Sequence, residues 1–299
     1  MEKTNNLKGI YAPVVSPCDD HDRLLSDVFA KNIERLYSKG INGLYVCGAT
    51  GDAFSLKMEE RKEMIRIACE ISADRGRYVI AHVGAAHIRD SAEMAAFAAD
   101  SGAAAVASIP PVNMSTSHLV EYYTEVARAS GIPVFVYHIP VLTHSHPTVE
   151  DMLRLLDIEG VAGLKLTDWN LFFMKQLKAE RPDIIVYNGY DELMALGLIY
   201  GADGCIGTWV NMFPDMYVKV YKYVSEGDLT KAMLVQNAFA DFLTLGWRHG
   251  IGDVFEYLMR REGHAAKCFR KPSDRMDEEV GSRIYPELKK KMDVMEGLI

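Results

Sequence analysis

VAGLKLTDWN, residues 161–170, sets a lysine inside an apolar run. Val161, Ala162, Leu164 and Leu166 read as buried strand, whereas Lys165 carries a charge that resists burial. Side chains alternate along a strand, so Gly163, Lys165 and Thr167 share one face and the two leucines the other. If the leucines pack under helices, Lys165 points into the interior of a barrel, near the C-terminal ends of its strands. That rim is where barrel enzymes of this kind carry their chemistry.

Seven further stretches resemble this one: GIYAPVVSP (9–17), INGLYVCG (41–48), RYVIAHVG (77–84), AAAVASIPP (103–111), PVFVYHIP (133–140), IIVYNGY (184–190) and DGCIGT (203–208). Most are apolar on both faces, the mark of strands covered on both sides in a parallel sheet. Amphipathic segments fill the gaps. LLSDVFAKNIERLYSKG (24–40) aligns Val28, Ile33 and Leu36 and stops at a glycine. Ser115 and Thr148 stand where N-caps belong, and Asp191 and Glu192 open DELMALGLIYG. Eight strand–helix units predict an α/β fold, a closed (β/α)8 TIM barrel over residues 1–225; an open doubly wound sheet is the alternative. Residues 226–299 show no strand signal. They predict a C-terminal helical extension packed on the barrel as one unit, with helices at LTKAMLVQNAFADFLTLGWRHG, VFEYLMRREG and PELKKKMDVMEGL and a turn at KPSD (271–274).

The chain has 299 residues, 25% of them charged, and a net charge of −8, which argues against nucleic-acid or anionic-membrane partners. Its five cysteines are scattered and lack a C-x-x-C pair, the polar start MEKTNNLKG has no apolar signal core, and no apolar run approaches a membrane span. A reducing, cytoplasmic setting is the expectation.

A lysine in water has a pKa of about 10.4, leaving roughly one in 2,500 as free amine at pH 7. Burial lowers that value by up to about 3–5 in a full interior, and only the free amine is a nucleophile. Lys165 is thus a candidate Schiff-base lysine; the other reading is a strand-end lysine paired to a carboxylate such as Asp168. Imine formation needs a proton carrier. Tyr137 lies 28 residues earlier, one βα period, at the matching end of its own strand. VCGATGDAF lacks the third glycine of a dinucleotide loop and the lysine of a P-loop, and His144 and His146 have no further ligand at metal spacing.

Taken in order, GATGD (48–52), Y-x-I-P (137–140), G-L-K-x-T (163–167), YNGYDE (187–192) and CFRKP (268–272) resemble the dihydrodipicolinate synthase / N-acetylneuraminate lyase family of class I aldolases. The resemblance implies a pyruvate-dependent carbon–carbon lyase or synthase, a homotetramer, using neither metal nor organic cofactor. It implies an imine on Lys165, a proton shuttle at Tyr137, and a pyruvate carboxylate held by Ala49 and Thr50, where Ala49 stands in place of the usual Ser or Thr. It also implies that Gly189, Asp191 and Glu192 meet the polyol of a sugar acid, with Thr167 and Thr208 completing the lining. Leu142 stands where the synthases carry an arginine, so the resemblance favours cleavage of a 2-keto-3-deoxy sugar acid such as N-acetylneuraminate over condensation of pyruvate with aspartate semialdehyde. Val112 and Asn113 replace the family's aromatic pair after strand four, which leaves the second proton carrier open and keeps a non-catalytic keto-acid binder as a third reading.

Overall fold

Strands β1 (Gly9–Pro13), β2 (Gly43–Val46), β3 (Tyr78–His82), β4 (Ala105–Ser108), β5 (Val134–His138), β6 (Val161–Leu166), β7 (Ile185–Asn188) and β8 (Gly204–Cys205) lie parallel and in chain order. In this computed structural model, which describes residues 7–272 and 276–299, β8 pairs back onto β1 through Gly9 opposite Gly204 and Ile10 opposite Cys205. The sheet is therefore a closed (β/α)8 barrel, and the open doubly wound alternative is excluded. Each predicted strand forms, trimmed by a few residues at its ends.

The crossover helices are α1 (Ser26–Ser38), α2 (Met58–Ala73), α3 (Ile88–Asp100), α4 (Thr116–Ser130), α5 (Val149–Leu156), α6 (Leu171–Glu180), α7 (Met194–Tyr200) and α8 (Pro214–Ser225). Their starts follow local chemistry. Ser115 accepts the His118 N–H, and Thr148 forms a reciprocal capping box with Asp151. On α1 the buried stripe runs through Phe29, Asn32, Ile33, Leu36 and Tyr37, so Phe29 rather than Val28 takes the inward place.

Period-two alternation divides the core in two. Leu164, Leu166, Val46, Val136 and Val186 face the helices, while Tyr11, Tyr45, Ile80, Phe135, Tyr137, Ile185 and Tyr187 fill the barrel interior. One irregularity matters for the site. Val134 sits opposite Val161, but Phe135 sits opposite Gly163, so Ala162 is an extra residue in β6. Without this bulge Tyr137 would align with Leu164; with it Tyr137 aligns with Lys165, which in turn aligns with Tyr187 on β7.

Helices α9 (Leu229–Arg248), α10 (Ile251–Arg261) and α11 (Glu278–Glu296) follow the barrel. Phe242 of α9 and Phe255 of α10 stand edge-on to Trp209, in the loop after β8, at 5.0 and 5.2 Å between ring centroids. α11 begins eight residues before the expected Pro286 and runs through that proline. Its buried face, Gly281, Ile284, Leu288, Met292 and Met295, outweighs the local break: Gly281 lies so close to α10 that a Cβ there would be 2.1 Å from Tyr257 Cε2. Of the expected KPSD turn, Ser273 and Asp274 lie outside the described residues, as does the start MEKTNN. No helix among the described residues is long and apolar enough to cross a membrane.

Gly163 admits the neighbouring strand: a Cβ there would lie 1.9 Å from the Ile185 carbonyl oxygen. Gly163→Ala is expected to lower stability by about 2–4 kcal/mol, read from the urea midpoint, because β6 and β7 must separate to admit the methyl group.

Candidate active site

Lys165 is 4% exposed. Its Nζ lies over two aromatic faces, 4.2 Å from the centroid of Tyr137 and 4.7 Å from that of Tyr45. Ring quadrupoles attract a cation at such distances, by about 0.5–2 kcal/mol each. No carboxylate forms an ion pair with Lys165 among the described residues. Asp168, the partner that the alternative reading needs, is taken: its Oδ2 lies 3.1 Å from His138 Nε2 and its Oδ1 accepts the Asn170 N–H. Burial pulls the His138 pKa down, opposed by Asp168. The stretch at 161–170 therefore sends its lysine into the barrel and its aspartate to a histidine one strand away.

Tyr137 is buried and stands edge-on to Tyr45 at 6.0 Å and to His82 at 6.3 Å. The Tyr45 hydroxyl, His82 Nδ1 and Thr167 Oγ1 are buried without a hydrogen-bond partner among the described residues. Complete burial raises the Tyr45 pKa well above its ordinary value and, together with Arg61, pushes His82 well below its own. Orphaned polar atoms are uncommon in an interior; these three lie near the lysine, while others, such as Arg35 Nε and Arg61 Nε, lie elsewhere in the fold. Tyr45 was missed in the sequence, although alternation along INGLYVCG puts it on the interior face. Gly48 makes room for it: a Cβ there would be 2.4 Å from Tyr45 Cε1.

The rim carries the remaining candidates. Ala49 and Thr50 sit in the turn after β2, between Cys47 at φ 59° and Asp52 at φ 54°, both left-handed. The Ala49 carbonyl accepts the Asp52 N–H, while the Ala49 and Thr50 N–H groups make no bond among the described residues. Thr50 Oγ1 lies 2.7 Å from Thr208 Oγ1, across from β2 to the loop after β8. Gly189 follows β7, and a Cβ on it would be 2.0 Å from Thr167 Oγ1, so the glycine leaves that hydroxyl its space.

Asp191 and Glu192, adjacent in sequence, lead different lives. The Asp191 side chain is turned inward under the loop after β8, where Thr208 N–H, Trp209 N–H and the Tyr217 hydroxyl all donate to it. Burial pushes its pKa up to about 7, against the pull of the Tyr217 and Trp209 donors and of Lys165 and with a push from Glu192. Glu192 stays partly exposed and accepts the Trp247 indole N–H at 2.9 Å. Beside it Trp169 stacks on Tyr190, ring centroids 4.3 Å apart. Tyr217, Trp247 and Trp169 were not singled out in the sequence. Tyr217 lies in the aromatic run MYVKVYKYV (216–224) and is a core residue whose hydroxyl donates to Asp191.

A parallel eight-stranded barrel with a lysine enclosed beside a tyrosine at the C-terminal rim places the molecule among the (β/α)8 enzymes that carry their chemistry on that rim. The match of residues 6–291 to the dihydrodipicolinate synthetase family is the finer finding: the chain belongs to that family. It is 34% identical to N-acetylneuraminate lyase of Escherichia coli O1:K1 over 291 residues, 95% of each chain. It is also similar to the crystal structure of N-acetylneuraminate lyase from Mycoplasma synoviae, at 26% identity and a TM-score of 0.84 over 98% of both chains. KD(P)GA from T. tenax superposes with a TM-score of 0.87 at 25% identity, over 95% of this chain and 99% of its own.

Asp191 has a consequence for stability. An aspartate in the unfolded chain loses its proton near pH 4, whereas this one holds it to about pH 7 when folded. Between those values the folded state binds the extra proton, so stability falls as pH rises. Compared with Asp191→Asn, the wild type is expected to lose about 1 kcal/mol of unfolding free energy per pH unit from pH 5 to 7 and to level off above, measured by urea titration.

Proposed function

We propose that the chain is a class I aldolase that cleaves a 2-keto-3-deoxy sugar acid, with N-acetylneuraminate as the favoured substrate, to pyruvate and an aldehyde sugar. The observation that carries this reading is Lys165: buried in the barrel, against the Tyr137 ring, and unpaired with any carboxylate among the described residues. Its amine attacks the C2 carbonyl. The carbinolamine then loses water as Tyr137 passes a proton to the departing hydroxyl, leaving a protonated imine.

That imine is the electron sink. As the C4 hydroxyl gives up its proton to the Tyr137 phenolate left by that step, the C3–C4 bond breaks, C4 leaves as the aldehyde, and the bonding pair moves through C3 and C2 onto the imine nitrogen as an enamine. Protonation at C3 and hydrolysis release pyruvate and restore Lys165. Ala49 and Thr50 would hold the keto-acid carboxylate with two backbone N–H groups and a hydroxyl, donors suited to an anion. Thr167 and Glu192 would face the sugar portion, and the stacked Trp169 and Tyr190 offer an apolar face to its C–H groups. The lyase names of the relatives support this substrate class over the synthase alternative, in line with Leu142 at the position where an arginine would bind a second carboxylate. The homotetramer and the cytoplasmic setting also belong to this proposal. They rest on the family resemblance and on five buried free thiols, and light scattering on the purified protein checks the tetramer.

Borohydride reduction with pyruvate, followed by peptide mass mapping, is expected to place a pyruvyl adduct on the peptide holding Lys165. Lys165→Arg should abolish both adduct and turnover, since a guanidinium stays charged and forms no imine. Tyr137→Phe should keep the adduct but lower kcat by about 10²–10⁴, the usual worth of a positioned proton carrier. Full activity of Tyr137→Phe would remove the tyrosine from the mechanism.

A further inference from the structure

We infer that His82 is a positioning residue for Tyr137: it fixes the ring of the proton carrier against Lys165. The inference rests on the aldolase reading of the site.

His82 closes β3, completely buried and on the interior face with Ile80. Three contacts set its imidazole. Nε2 accepts the N–H of Ile109, the residue after β4, at 2.9 Å. The guanidinium of Arg61, on α2 and itself buried, donates to the His82 carbonyl at 2.8 Å and to the Gly84 carbonyl at 3.0 Å, which pins the end of the strand. Gly84 leaves the ring its slot: a Cβ there would be 3.0 Å from His82 Cε1 and Nε2, and 2.5 Å from the Ile109 carbonyl oxygen.

Accepting a backbone N–H also fixes the tautomer. Nε2 keeps its lone pair and Nδ1 carries the proton, so the imidazole is neutral. Burial, then the charges of Arg61 and Lys165, oppose protonation in the same sense. A neutral ring packs near the lysine without setting a second cation beside the protonated imine. The rings of Tyr45, His82 and Tyr137 form a triangle. Tyr45 and His82 are 6.3 Å apart between centroids, and they stand perpendicular to Tyr137 at 6.0 and 6.3 Å. Lys165 Nζ lies over the Tyr137 ring, 4.2 Å from its centroid. Of the two rings packed on Tyr137, Tyr45 has a hydroxyl without a partner among the described residues, whereas His82 is tied to the backbone. His82 is therefore the anchored member, and its anchor sets where the Tyr137 hydroxyl stands.

A plain core residue would support the barrel at large, but a positioning residue acts through the Tyr137 hydroxyl, and removing that hydroxyl separates the two. With N-acetylneuraminate, His82→Leu, which fills the slot but accepts nothing, is expected to lower kcat about 10–100-fold, since a displacement of about 1 Å at a reacting group costs up to about 10². Borohydride trapping with pyruvate should keep its half-saturation within about twofold, as a loss confined to kcat requires. In a Tyr137→Phe background the same substitution should lower kcat by less than about twofold further, because no hydroxyl is left to misplace. His82→Gln, whose amide oxygen reaches the Ile109 N–H, should recover kcat to within about fivefold of wild type, whereas the shorter His82→Asn should not. A full second loss in the Tyr137→Phe background would overturn the inference. So would an unchanged kcat in His82→Leu, or a pyruvate half-saturation that shifts while kcat stays. Should His82→Leu fail to fold, the two amides decide: equal kcat in His82→Gln and His82→Asn refutes the anchor. Absence of any adduct on wild-type Lys165 brings down the aldolase reading, and the inference with it; an adduct with independent losses brings down the inference alone.

Discussion

An amine enclosed by a barrel, with aromatic faces around it and no carboxylate ion-paired to it among the described residues, is the arrangement to which the other features answer. Its cost is desolvation of a charge, and a barrel can carry that cost only if the strand bearing the lysine is locked by its neighbours. The extra residue Ala162 in β6 provides the alignment: it sets Lys165, not Leu164, level with Tyr137 on β5 while both leucines stay under the helices. The pairing of tyrosine and lysine is thus a matter of register, and Gly163 lets the next strand approach closely enough to hold it.

Around this centre the polar groups fall into two sets. The Tyr45 hydroxyl, His82 Nδ1 and Thr167 Oγ1 are buried without a hydrogen-bond partner among the described residues, although His82 Nε2 accepts the Ile109 N–H. Asp191, Thr208, Thr50 and Tyr217 satisfy one another. The first set lies around the place where protons must move in the proposed chemistry; the second gives the rim its rigidity.

Much of this was legible in the sequence because its causes are local. Strands apolar on both faces announce a covered parallel sheet, and alternation alone sends Lys165 inward once Leu164 and Leu166 are assigned to the helices. Tyr45 followed from the same alternation and was simply not singled out. Other features have no local signature. The bulge at Ala162 becomes visible only when β5 and β6 are laid side by side. Pro286 reads as a helix start, yet packing against Tyr257 carries α11 through it. The inward turn of Asp191 depends on Tyr217, 26 residues away, and on the closeness of Gly207. Patterning fixes which face a side chain takes. It does not say which distant donor will claim it.

The helices beyond residue 225 do more than shield the barrel. Gln236 grips the turn that carries Asp191 and Glu192, and Trp247 occupies one oxygen of Glu192 at the mouth. Substitutions on α9 can therefore shift this turn while the strands and the lysine stay untouched. On the proposed reading, the tail is the place where a new substrate could be accommodated without rebuilding the chemistry.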